Sequence, residues 1–222
     1  SVDLSQSLSA GSIGDARAAS SSSSLVLPPT SELARCIVFG SINKDIAIST
    51  TGRHPAPGHT LTVTGTFESS FGGKGFNEAL CVGRLKVPTW LVGRVGESDA
   101  AALREQLKGS GVNSDGVSRS DEQHTGVAVQ INVAASSEAA SSRFTVVCQG
   151  ASDKIDTKEL VYLGKLIEQE ASAAMLLLQL EVTGFPAIEA AKQARREMGD
   201  MVALRGAPLF KEGKELETAH RL

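Results

Sequence analysis

The chain has little of what several common functions require. Only three of its 222 residues are cysteine, Cys36, Cys81 and Cys148, and they stand far apart with no CxxC. The four histidines, His54, His59, His124 and His220, are scattered and fall at no metal-ligand interval. Neither a metal site nor a disulfide framework is indicated, and the thiols are expected to be buried and reduced. Aromatic residues make up 4%, and the single tryptophan and tyrosine, Trp90 and Tyr162, sit in strand and helix patterns as packing residues. A net charge of −3, with no basic run interleaved with aromatics, excludes an electrostatic footprint for nucleic acid. The longest apolar run, Ala171 to Leu180, is interrupted by Ser172 and Gln179 and is too short to span a bilayer. A soluble or at most peripheral protein, without a transmembrane segment, is expected. No Walker A, GxGxxG or GxSxG pattern occurs.

What is present is the composition of an ordinary globular domain, 41% hydrophobic and 21% charged, long enough for one sizeable core. Residues 1–33 stand apart: a serine run from Ser20 to Ser24 and then Pro28-Pro29 read as an extended tail, unable to bury enough apolar surface to offset its ordering entropy. The start at Ser1 fits either removal of a targeting peptide or an N-terminus trimmed otherwise, and the serine and alanine richness tips the reading toward a mitochondrial or plastid protein. Residues 34–222 alternate strand and helix patterns, the signature of a largely parallel sheet covered on both faces. Core strands are expected near 36–39, 90–95, 144–148, 175–180 and 201–204. Strands of a smaller sheet, alternating polar with apolar, are expected near 61–67 and 126–133. Asp156-x-x-Glu159 predicts a capping box ahead of Leu160, Asp99 to Gly111 a helix with Leu103 and Leu107 inward, and Pro186 the start of a helix closed by Gly199.

Two short stretches carry the chemistry. Gly40-Ser41-Ile42-Asn43-Lys44-Asp45 follows the apolar run Cys36-Ile37-Val38-Phe39, so Asn43 and Asp45 should project from the carboxyl end of a buried strand, where ligands bind in open α/β sheets. Phe71-Gly72-Gly73-Lys74-Gly75-Phe76-Asn77-Glu78-Ala79 places flexible glycines before a helical spacing and aims backbone N–H groups and Lys74 at a polar ligand. An aspartate there fits a vicinal diol, accepting one hydrogen bond on each oxygen.

These stretches resemble the sugar site of the ribokinase branch of the pfkB-type carbohydrate kinases, and the resemblance runs from about residue 35 to 210. Thr125-Gly126-Val127-Ala128, Val92-Gly93-Arg94-Val95-Gly96 and Leu177-Leu178-Gln179-Leu180-Glu181 resemble later segments of the family in order and spacing. The resemblance implies an α/β, three-layer ribokinase-like fold with a mainly parallel sheet and a small β lid. It also implies that the sugar contacts fall on Asn43, Asp45, Gly73, Lys74, Asn77 and Glu181. The departures are specific. Phe76 stands where the family has alanine and is expected to point toward the sugar cavity, Glu78 stands for glutamine, and Ser152 stands in place of Gly-Ala-Asn. The family's Gly-Ala-Gly-Asp turn, which carries the anion hole and the catalytic aspartate, does not occur in the 222 residues.

The sequence therefore reads as a C-terminally truncated member. The expected function is that of a degenerate, non-catalytic subunit of a larger assembly, with a vestigial sugar site and no catalytic, cofactor or metal residues. Other protein chains would cover the sheet face and the tail. ATP and Mg²⁺ would enter only with a further C-terminal half. Two alternatives stand beside it: the sugar-binding half of an active kinase that phosphorylates a pentose, and a non-catalytic sugar sensor.

Overall fold

A computed structural model describes residues 35–51, 58–63, 67–135, 140–170, 174–179, 181–182, 185–198 and 202–205. The expected tail over 1–33 and the segment after Arg205 lie outside the described residues. The chain runs through β1 (Arg35–Phe39), β2 (Asn43–Thr51), β3 (Glu68–Gly72), α1 (Lys74–Arg84), β4 (Thr89–Gly96), α2 (Glu97–Gly109), β5 (Val112–Ser120), β6 (Thr125–Ala134) and β7 (Ser142–Gly150). A 3₁₀ turn, Ala151–Lys154, leads into α3 (Thr157–Glu170), β8 (Ala174–Gln179), α4 (Phe185–Met198) and β9 (Val202–Arg205).

Two sheets result. The core sheet has the order β5-β4-β1-β8-β9, and each of its pairings is parallel. Its central strand β1 is buried on both faces, as a strand in a covered parallel sheet must be, and its alternation divides the core in two. Ile37 and Phe39 face α3 and α4, packing with Leu163, Ile167, Ala187 and Ala191, while Trp90 and Tyr162 pack partly buried at that cluster's margin. Cys36 and Val38 face the other side, with Phe76 and Ala79 of α1 and Leu103 and Leu107 of α2. The molecule is thus a three-layer α/β structure. The predicted capping box closes α3: Asp156 N donates to Glu159 at 2.9 Å, and Lys158 N donates to the Asp156 carboxylate at 2.9 Å.

The second sheet, the lid, has the order β3-β2-β6-β7, with β2 parallel to β6 and the outer pairs antiparallel. Two strand expectations need correction, and two strands were not expected. The 144–148 segment lies in β7 of the lid and not in the core sheet, which agrees with the exposure of Phe144, Val146 and Val147. Residues 61–63 and 67 are not strand; the lid strand starts at Glu68, where β3 pairs with β2. The core sheet takes its outer strand from 112–120, and 43–51, read from sequence as a ligand-bearing segment, is a full lid strand. Cys36 is buried, whereas Cys81 on α1 and Cys148 on β7 are exposed, so the expectation of three buried thiols holds for one.

Candidate sugar-binding site

The chain leaves the core sheet at Phe39 and enters the lid at Asn43, so Gly40, Ser41 and Ile42 form the only span between β1 and β2. This short crossing lies against the start of α1. Gly73, at φ +87°, takes a backbone conformation that suits glycine and turns β3 into α1. At Gly75 a side chain has no room: an added Cβ would stand 2.6 Å from the Gly40 carbonyl carbon and 2.9 Å from Ser41 N. The two backbones touch, and Phe76 N donates to Ser41 O at 3.1 Å. Close approach of two glycine-bearing segments brings the two sequence motifs into one place.

Glu181, just beyond β8, ties that place together. Its carboxylate accepts the Lys74 backbone N–H at 2.8 Å, the Lys74 ammonium and the Ser41 hydroxyl. Lys74 N also lies 3.0 Å from Ser41 Oγ, and Gln149 donates its amide to the Glu181 carbonyl at 2.8 Å. Burial works against ionisation of Glu181, but the bonds from Lys74 and Ser41 outweigh it and hold the carboxyl below the usual range.

Asp45 behaves in the opposite way. Burial, reinforced by the nearby Glu181 carboxylate and only partly offset by Lys74, pushes its carboxyl above the ordinary value. Its Oδ1 is buried without a hydrogen-bond partner, and so is Asn43 Oδ1. Asn43 and Asp45 alternate with Lys44 and share one face of β2. Asn43 pairs in register with Gly72 and Gly126, and a Cβ on Gly126 would overlap the Asn43 amide oxygen. A Cβ on Gly72 would overlap the Asp45 carboxylate. Buried acceptors left unsatisfied cost free energy, and hydrogen-bond donors brought to Asn43 Oδ1 and Asp45 Oδ1 would relieve that cost.

Five of the six sequence-predicted residues are therefore brought together: Asn43, Asp45, Gly73, Lys74 and Glu181. Asn77 lies on the first turn of α1 with its side chain exposed; its N–H is spent on Gly73 O at 3.0 Å. Phe76 requires a correction. It is 1% exposed, within the core cluster beneath the sheet, with its ring 6.0 Å from that of Phe71. The helical period that aims Lys74 at the site turns Phe76 into the core, so the cavity is not filled by it.

Sequence reasoning missed three supporting residues. Ser41 and Gln149 hold Glu181, as described above. Ser152, read as a departure, is fully buried: its hydroxyl accepts from Ile42 N at 3.0 Å and donates to Ile42 O at 3.1 Å, bracing the β1–β2 crossing. A hydroxyl between an alanine and an aspartate on a turn gave no signal of that role. Among the described residues no three His, Cys, Asp or Glu side chains gather to hold a metal ion. A groove of about 810 Å³ runs beside β5 between Arg104, Tyr162 and Lys165, but none of the six residues lines it.

Residues 33–215 match the model of the family described as pfkB family carbohydrate kinase. The chain belongs to that family. Similar curated proteins include ribokinases from Schizosaccharomyces pombe, 32% identical over 181 residues, covering 78% of this chain and 53% of the relative, and from Bacillus subtilis, 31% identical over 146 residues, covering 65% and 46%. Among solved structures, Arabidopsis thaliana ribokinase complexed with ribose and ATP is 28% identical with a TM-score of 0.60, covering 78% of this chain and 53% of that one. A ribokinase from Thermotoga maritima, 22% identical, shares the fold with a TM-score of 0.63 over 81% of this chain and 55% of its own. The chain spans about half the length of the curated relatives it matches. In this pfkB-family chain, Asn43, Asp45, Gly73, Lys74 and Glu181 converge where the lid sheet meets the carboxyl ends of β1 and β8.

Proposed function

We propose that the chain binds a pentose, ribose first among candidates, as the sugar-binding part of a ribokinase-type carbohydrate kinase. One observation carries this reading: Asn43 Oδ1 and Asp45 Oδ1 are buried acceptors without partners on one face of β2, and the Asp45 carboxyl feels the charges of Lys74 and Glu181. Adjacent sugar hydroxyls would satisfy them, and Asp45, ionised, would accept one hydrogen bond on each oxygen. The position of Phe76 in the core removes the sequence-based reason to regard the cavity as closed. Asn77, exposed at the first turn of α1, would reach a bound sugar from the solvent side. ATP and Mg²⁺ belong to this reading where a phosphate-binding segment is joined to these 222 residues. Phosphoryl transfer also needs an acceptor for the hydroxyl proton and donors around the phosphate. Assayed by itself, the 222-residue chain is expected to bind sugar without sugar-dependent ADP release.

Titration calorimetry with ribose tests the proposal. Binding is expected, and Asp45→Ala should weaken it about 30-fold, the equivalent of ~2 kcal/mol for a lost charge-assisted hydrogen bond. Absence of heat with ribose and with other pentoses overturns the reading. A second reading, a non-catalytic interaction subunit with another chain over the sheet beyond β9, draws on a different observation. Glu181 already accepts from three donors, as in a site that no longer opens to a ligand. That reading gains if calorimetry is silent.

A further inference from the structure

The residue between the two proposed sugar contacts points away from the site and meets the core. Lys44 Nζ lies 2.7 Å from Asp99 Oδ1, in the first turn of α2. The other oxygen of Asp99 accepts the Thr125 hydroxyl at 2.6 Å. Thr125 is buried and is the first residue of β6, and its Oγ1 accepts the backbone N–H of Gly96, the last residue of β4, at 3.2 Å. One carboxylate on a core helix therefore holds two adjacent lid strands at the ends nearest the site. Burial opposes ionisation of Asp99, but the bonds from Lys44 and Thr125 keep its carboxyl below the ordinary range.

The strand geometry makes this contact matter. Side chains alternate along β2, so a pull on Lys44 rotates Asn43 and Asp45 with it. The next residue after Thr125 is Gly126, against which Asn43 Oδ1 rests. We propose that Asp99 is a positioning residue: by clasping Lys44 of β2 and Thr125 of β6 at the N-terminal turn of α2, it sets the angle of the lid sheet on the core sheet. It thereby fixes where Asn43 and Asp45 stand. The clasp rests on the sugar-site reading only for its effect on binding, not for its effect on the lid.

The chain carries its own reporters. Cys81 on α1 of the core and Cys148 on β7 of the lid are exposed, while Cys36 is buried, with its thiol pushed up to about 11 by burial and by Glu78, and so is slow to react. Spin labels on Cys81 and Cys148 read the lid-to-core distance directly. A narrow distance distribution is expected in the unmutated chain. Asp99→Ala and the milder Lys44→Met should each broaden or shift it, and Lys44→Arg should restore it. Arg119→Ala, which removes the neighbouring Arg119–Glu97 pair at 2.8 Å, should leave it unchanged. With ribose, Lys44→Met is expected to weaken binding about tenfold in protein that remains folded, and Lys44→Arg to restore it. An unchanged distance distribution in a folded Lys44→Met or Asp99→Ala protein overturns the clasp. If the unmutated chain does not bind ribose, the sugar reading fails, and the distance measurement still decides the clasp.

Discussion

Asp45 and Glu181 are neighbouring carboxylates with opposite electrostatic fates, and the difference separates stability from function. Glu181 has a lowered folded-state pKa, so its contribution to stability is present above the unfolded value and is lost as pH falls through the folded one. Asp45 has a raised folded-state pKa, so the fold is favoured as Asp45 takes up its proton and is penalised at neutral pH. Replacing Asp45 by Asn removes that penalty. We expect Asp45→Asn to raise the melting temperature by about 2 °C, the scale that modest gains reach in a domain of this size, while ribose binding is lost. Thermal unfolding and calorimetry on the same sample check it; a lower melting temperature contradicts the assignment. The same signs govern pH: ribose affinity should fall on acidification at a pH above the ordinary aspartate range, before the Glu181 cluster titrates and the fold weakens. Glu181→Ala acts differently, leaving Lys74 and Ser41 without their acceptor, and should cost about 2 kcal/mol in urea unfolding.

The elements decide which residues of a motif become site and which become core. In α1, Gly75 and Phe76 serve packing while Lys74 serves the site, because successive helix positions point about 100° apart. Gly75→Ala must separate α1 from the β1–β2 crossing, where an added Cβ meets Gly40 backbone at 2.6 Å, and should destabilise by about 1–3 kcal/mol. Phe76→Ala should cost about 3–5 kcal/mol without increasing ribose affinity, since the void opens beneath the sheet. A gain in affinity would return Phe76 to the cavity. Urea unfolding followed by calorimetry of the folded fraction measures both.

Much at this scale was legible in the sequence. The apolar runs of β1 and β8, the α3 capping box and the Pro186 helix start all stand where their local chemistry puts them. What was not legible depended on pairing. The start of β5, Val112-Asn113-Ser114-Asp115-Gly116, is rich in residues depleted in strands, yet it pairs with β4 as the outer strand of the core sheet, with a shift of register between Trp90 and Val92 that passes over Ser114 and Asp115. Leu61-Thr62-Val63 alternates more convincingly than Glu68-Ser69-Ser70, but among the described residues it is the latter that pairs with β2. β7 alternates weakly and is exposed along most of its length, a lid property that an apolar count mistakes for core. Within the site, the two glycine-bearing stretches pointed to Asp45 and Lys74 and the family resemblance pointed to Glu181, whereas the roles of Ser41, Gln149 and Ser152 arise from chain crossings far apart in sequence.

At the scale of the whole molecule, the site lies between two bodies of unequal stability. The core sheet is covered by helices on both faces, and β1 and β8 contribute Ile37, Val38, Phe39 and Leu176 with no solvent exposure. The lid strands bury far less: Ala128 and Val133 are the buried hydrophobics of β6, and β7 is open. Local opening follows burial, so amides of β1 and β8 should exchange slowest and those of β7 fastest. A sugar held by Asn43, Asp45, Gly73 and Lys74 would stabilise only conformations in which lid and α1 are apposed, since ligand binding protects the states that form the site. Hydrogen exchange with saturating ribose should therefore slow β2, the start of β6 and the Gly72 to Asn77 segment. The distant end of β5 and the C-terminal turns of α2, which touch no proposed contact, should be unaffected. Uniform protection of every element would mean global stabilisation instead. Protection confined to β5 and α3 would move the ligand to the groove beside Tyr162 and displace the sugar site from β2.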